Sequence, residues 1–90
     1  MIIKTITDHP YAQAHEYFYN DGAVALVSYT TTVITIDADG WLEVNGLYSR
    51  TTIKHIGWFM RERGLTYQLA KQLLEDGLKY NIYTAEVVAL

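Results

Sequence analysis

The spacing of apolar residues changes twice along this 90-residue chain. Between Ala23 and Asn45 apolar and polar residues alternate with the period of two expected of half-buried strands. From Ser49 to Gly77 the period lengthens to that of a helix, and β-forming residues return from Lys79 to Leu90. The helical stretch, SRTTIKHIGWFMRERGLTYQLAKQLLEDG, is the part around which the rest is arranged. It divides into two helices at a corner, Gly64-Leu65. Ser49 or Thr51 caps the first, because a short side-chain oxygen satisfies an orphan amide of the first turn. Gly64 ends it, because glycine enters the left-handed conformation without a Cβ penalty. Thr66 caps the second helix and Gly77 stops it.

At about 100° per residue, Ile53, Ile56, Gly57 and Met60 fall on one stripe of the first helix, with Phe59 at its edge. A glycine inside a helix costs ~1 kcal/mol against alanine, so Gly57 predicts the close approach of a neighbouring element. The second helix turns Leu69, Ala70, Leu73 and Leu74 inward. Trp58 does not fit this scheme. It lies roughly opposite the inward stripe, near Lys54, Arg61 and Glu62. Two readings stay open: another element, such as an N-terminal helix, covers it, or it is an exposed aromatic anchor among cations. The second arrangement is one that protein interfaces and nucleic-acid backbone sites use.

Within the strand-like region, Asp37-Ala38-Asp39-Gly40 is the clearest turn. A two-residue loop would set Ile36 opposite Glu43 and Ile34 opposite Asn45. A three-residue loop, Ala38-Asp39-Gly40, sets Ile36 opposite Leu42 and Ile34 opposite Val44, so that all four apolar residues share a face. The three-residue loop with a left-handed Gly40 is therefore predicted. The opposite face carries Val33, Thr35, Asp37, Trp41, Glu43 and Asn45, mostly polar, with Trp41 lying across it. Ala23 to Tyr29 and Thr30 to Asp37 make one long bent strand or two short ones, the bend falling in Thr30-Thr31-Thr32.

Residues 1–6 predict a short strand on Ile2, Ile3 and Ile6. Thr7 or Asp8 as a cap and Pro10 in a first turn predict a helix over 10–19, carrying Tyr11, Tyr17, Phe18 and Tyr19 and ended by Asn20-Asp21-Gly22. The final segment reads as strand, with Thr84-Ala85 as an interruption. The predicted fold is α+β and a single domain over 1–90, roughly βαβββααβ. A two-helix hairpin and a short N-terminal helix pack on one face of a small antiparallel sheet.

Half of the residues are hydrophobic, which suffices for a core, and there are no cysteines to form disulfides or thiolate metal sites. No run approaches the roughly 20 apolar residues of a membrane span. The N-terminus MIIKTITDHP lacks the basic region and apolar core of a signal peptide, so a cytoplasmic location is expected. The net charge of -3 is unevenly spread. Over residues 1–49 Lys4 stands against Asp8, Glu16, Asp21, Asp37, Asp39 and Glu43, a balance of -5. Over 50–80 Arg50, Lys54, Arg61, Arg63, Lys71 and Lys79 stand against Glu62, Glu75 and Asp76, a balance of +3. The helices are thus a basic segment on an acidic protein, as a solvated helix surface or as a binding patch.

No catalytic constellation stands out. His9, His15 and His55 have no metal-ligand spacing, and neither Ser28 nor Ser49 sits in a nucleophile elbow. Asp37 and Asp39 flank a turn and read as turn chemistry, and the glycines are scattered rather than gathered in a phosphate loop. No enzyme activity, metal or cofactor is expected. The segment RERGLTYQLAKQLLEDG has the outline of a helix-turn-helix. Its second helix, however, offers only Lys71, Gln68 and Gln72, beside the repelling Glu75 and Asp76, and a plain helical hairpin accounts for it better.

The segments DGWLEVNGLYSRTT and KHIGWFMRE, within TIDADGWLEVNGLYSRTTIKHIGWFMRERG and followed by YNIYTAEVVAL, resemble small uncharacterised proteins carried by phages and plasmids of Gram-positive bacteria. The resemblance covers roughly residues 30–90 and brings no assigned activity. It implies a short accessory protein of a mobile element, a class that commonly binds host machinery and includes inhibitors of CRISPR effectors. The function expected is therefore that of a non-enzymatic binding protein, an anti-CRISPR-like inhibitor of a host defence nuclease. Trp58, Lys54, Arg61 and Trp41 are its partner-binding residues, and a homo-oligomer is open to it. The alternative is a small DNA-binding regulator that uses the helix pair at 49–77.

Overall fold

Ile36 lies opposite Leu42 and Ile34 opposite Val44, the register that places four apolar side chains on one face. The loop between them is Ala38-Asp39-Gly40, with Gly40 at a φ of +94°. The Asp37 carboxylate closes it by accepting hydrogen bonds from the amides of Asp39 and Trp41, at 2.9 and 3.0 Å. This hairpin joins two strands of a seven-stranded antiparallel sheet whose spatial order is the chain order. The strands are β1 (Ile2–Thr5), β2 (Ala14–Phe18), β3 (Val24–Ser28), β4 (Thr31–Ile36), β5 (Trp41–Val44), β6 (Leu78–Asn81) and β7 (Val87–Ala89). Helices α1 (Arg50–Glu62) and α2 (Tyr67–Asp76) are inserted between β5 and β6 and cover one face. The computed structural model describes residues 2–5, 13–47 and 49–90.

The predicted α+β class holds, and so do the ends of both helices. Ser49, rather than Thr51, caps α1 by accepting from the Thr52 amide, and Thr66 caps α2 by accepting from the Leu69 amide. After α1 the amides of Gly64 and Leu65 donate to the carbonyls of Arg61 and Met60, a Schellman ending that requires the left-handed Gly64. The core combines Ala14, Leu26, Val33, Ile34, Ile36, Leu42 and Val44 of the sheet with Ile56, Phe59, Met60, Ala70 and Leu73 of the helices.

The helix predicted over 10–19 is not formed at 14–18, which is strand β2. Its remaining residues 10–12, with the Thr7 or Asp8 cap and Pro10, lie outside the described residues, as do Ile6, His9 and Tyr11. Pairing decides the matter. β2 lies between β1 and β3, so its backbone groups find partners on both sides. Alternation then turns Ala14 and Glu16 toward the helices while Tyr17 and Phe18 suit a pleated surface.

The choice between one bent strand and two resolves as two. β3 and β4 are joined by a tight turn at Tyr29-Thr30, just before the predicted bend, with Tyr29 at a φ of +57°. The register slips between Leu26 and Val27, leaving Val33 as an extra residue in β4. This bulge buries Val33 and Ile34 together, so Val33 belongs to the core and not to the open face predicted for it. The C-terminal strand splits around Thr84-Ala85 as predicted, giving β6 and β7. Asn81 holds that turn: its Oδ1 accepts from the amides of Tyr83 and Thr84, and its Nδ2 donates to the Asp39 carbonyl of the neighbouring turn. No helix among the described residues is long and apolar enough to cross a membrane.

Candidate functional site: the outer face of helix α1

Helix α1 buries Thr52, His55, Ile56, Gly57, Phe59 and Met60. This is the predicted stripe, with Ile56, Gly57 and Met60 buried and Ile53 half-buried, turned toward two polar side chains. Sequence periodicity could not find that rotation, because Thr52 and His55 are acceptable inside only when a third group completes their hydrogen bonds. Ser28, at the end of β3, is that group. Its hydroxyl lies 2.9 Å from Thr52 Oγ1 and 2.8 Å from His55 Nδ1, and all three residues are buried. Burial pushes His55 below its usual value of 6.5, so the imidazole is neutral at physiological pH. A serine hydroxyl on a neutral imidazole has the makeup of a nucleophile–base dyad, but this one is sealed in the interface, Ser28 being 2% exposed. It acts as a polar clamp between sheet and helix.

At the other end of α1 the Glu16 carboxylate, 0% exposed, accepts a hydrogen bond at 2.9 Å from Arg63 Nη1. Burial raises the Glu16 pKa above 4.5, Arg63 lowers it, and the neighbouring Glu62 raises it. Clamp and ion pair together fix which side of α1 faces outward.

That outer side carries three of the four predicted partner-binding residues. Lys54, Trp58 and Arg61 line one open groove of about 360 Å³ together with Ile53, Gly57 and Tyr67. Trp58 is half-buried, its ring centroid 6.0 Å from that of His55, so the clamp beneath supports the indole. Among the described residues no N-terminal helix covers Trp58: one side of the ring packs on the protein, and the other lines the groove. Lys54 and Arg61 are exposed and make no ion pair among the described residues. Arg50 lies one turn before Lys54, and the three cations fall within about 40° of one another around the helix. Among the described residues the expected close neighbour of Gly57 is absent: a Cβ built there would meet none of them within 4 Å. Gly57 is the floor of the groove.

Residues 3–75 match a family described as a family of unknown function, DUF8033. The chain belongs to the DUF8033 family. The DUF8033 match takes in the whole of α1, Ser28, Glu16 and Tyr67, and ends before β6 and β7. No curated protein and no solved structure gives a significant match.

The fourth predicted residue, Trp41, lies on the opposite face of the sheet and is not part of this groove. It borders a separate open cleft of about 320 Å³ with Tyr19, Ala25, Thr35 and Glu43, and the Lys79 ammonium sits 4.9 Å over its ring. On α2, Lys71 lies 3.9 Å from Glu75, so the only cation of the predicted DNA-reading helix is already engaged. Among the described residues, no three histidine, aspartate or glutamate side chains gather where they would hold a metal ion. Charge is also segregated in space. The turns β2–β3, β4–β5 and β6–β7 share one end of the sheet and carry Asp21, Asp37, Asp39 and Glu86, while the α1 face is cationic. Arg50 and Tyr67 were not among the predicted site residues. The wheel signal for Arg50 is its alignment with Lys54 and Arg61, whereas Tyr67 joins the groove only because the Gly64 corner folds α2 back beside α1.

Proposed function

We propose that this protein is a small non-enzymatic binding protein of a mobile element that works by occupying the surface of a protein partner. The target class is a host defence nuclease, inhibited in the anti-CRISPR manner. The observation that supports the reading is the α1 groove, where Trp58 is framed by Lys54 and Arg61 and neither cation makes an ion pair among the described residues. An aromatic centre with a charged rim is a common hot-spot arrangement. DNA regulation through α2 is less well supported, because Lys71 is paired and the net charge of -3 opposes approach to phosphates.

The test is phage plating on a Gram-positive strain with an active CRISPR nuclease, with and without the protein, beside co-purification of the nuclease from that strain. The protein should raise plating efficiency and co-purify with the nuclease, and Trp58→Ala and Lys54→Glu/Arg61→Glu should each lose both effects. Unchanged interference together with no nuclease capture rejects the inhibitor reading. Salt-sensitive nanomolar binding to duplex DNA, abolished by Lys71→Glu, would replace it with the regulator.

A further inference from the structure

Gly57 is buried in α1, yet no described residue takes up the space that its missing side chain leaves. It lies in the middle of α1, where alanine would be the better helix former. Its φ is not positive, so its backbone does not demand glycine, and no neighbouring element among the described residues approaches the space a Cβ would fill. The missing side chain does one visible thing, which is to leave the groove open between Ile53, Trp58 and Tyr67. We infer that Gly57 is the floor of a socket that receives a single apolar side chain from an acidic protein segment. The inference rests on the binding reading above and states the chemistry of the partner.

The walls define the inserted group. Ile53, Trp58 and Tyr67 present apolar surface, which suits a phenylalanine or leucine side chain. The rim defines its surroundings. Lys54 and Arg61 stand on either side of Gly57 along the helix, about 10 Å apart by helical rise, and Arg50 extends the line. None of the three has an ion pair among the described residues, so their charge complements carboxylates brought by the partner. The fitting segment has one apolar residue with acidic residues on both sides. A nucleic acid fits less well, since three helix cations on a chain of net charge -3, with Asp21, Asp37, Asp39 and Glu86 at the sheet end, give few phosphate contacts against a repelling field.

The experiment is amide-resolved NMR titration of the full chain with four probes. They are a glutamate-rich peptide of about nine residues with one central phenylalanine, the same peptide with serine in its place, its lysine-for-glutamate counterpart, and a single-stranded oligonucleotide of similar length. The glutamate–phenylalanine peptide should move the Gly57 amide and the Trp58 indole signals, half-saturating at a concentration roughly tenfold below any of the other three. Gly57→Leu, which fills the socket, should raise that concentration roughly tenfold with the melting temperature retained, and Gly57→Ala should fall between. Equal responses to the phenylalanine and serine peptides, a stronger response to the oligonucleotide, or undiminished binding by a folded Gly57→Leu would each overturn the socket. If Gly57→Leu does not fold, the four-probe comparison on the unmodified chain still decides. Loss of nuclease capture by Trp58→Ala alongside unchanged peptide binding by Gly57→Leu would reject the socket while leaving the binding face in place.

Discussion

Arg63 and Glu16, far apart in the chain, meet at 2.9 Å where the last turn of α1 crosses β2. The guanidinium carbon also lies 3.6 Å from the centroid of the Phe59 ring, and Nη1 donates to the Phe59 carbonyl. One arginine therefore neutralises a buried carboxylate, covers a core aromatic and ends a helix.

Removing that arginine takes a cation 2.9 Å away from the buried Glu16 carboxylate. Arg63→Met should destabilise the protein by roughly 3 kcal/mol at pH 7 in denaturant unfolding. The Glu16 pKa is already raised in the fold, so the folded state takes up this proton more readily than the unfolded one. Its contribution to stability accordingly increases as pH falls from the raised value toward 4.5. Without Arg63 the Glu16 pKa rises further, so the cost of Arg63→Met should shrink as pH falls from the variant's higher value to the raised value of the unmodified protein. A cost independent of pH would show that the ion pair is not its source.

His55 has the opposite sign. Its folded pKa is lowered from 6.5 by burial, so the unfolded chain binds a proton that the folded one refuses. Stability should fall as pH drops below 6.5 and go on falling until the lowered value is passed. His55→Gln should be less stable at neutral pH but should flatten this limb in the difference between the two melting curves. Histidine-selective NMR titration checks the same point directly: a His55 resonance titrating at 6.5 or above contradicts the sealed Ser28 clamp.

Gly40 has a φ of +94°, and a Cβ there would lie 2.5 Å from Cδ2 of Tyr83. Tyr83 is 71% exposed, so its ring can swing away, and the strain at the backbone remains. Gly40→Val should therefore cost about 1–3 kcal/mol, read from the urea midpoint at unchanged slope. A neutral effect would mean that the turn relaxes into another type.

At the groove, folding and binding should separate. Gly57→Ala should stabilise the chain by up to ~1 kcal/mol, because it improves helix propensity and meets no neighbour. Trp58→Ala removes a half-buried ring that packs against the core margin, and should cost about 1–2 kcal/mol rather than the 3–5 typical of a fully buried aromatic. Thermal melts of both variants give these values. A loss of 4 kcal/mol or more for Trp58→Ala would reassign the residue to the core.

The sequence by itself determined the elements whose information is local. Caps at Ser49 and Thr66, stops at Gly64 and Gly77, and the register around Gly40 all follow from residues within a few positions of one another. It also grouped Lys54, Trp58 and Arg61, because one helix carries all three. Tertiary structure decided what depends on a distant partner. Residues 14–18 read as helix from their own pattern, and the pairing with β1 and β3 on either side makes them a strand. Val33 turns inward only through a bulge in its register with β3. The rotation of α1, and with it the place of Gly57 in the lining of the groove, follows from Ser28 accepting Thr52 and His55 into the interior and from Glu16 holding Arg63. A buried polar group can be placed only when its partner is known, and here the partners lie 24 to 47 residues away.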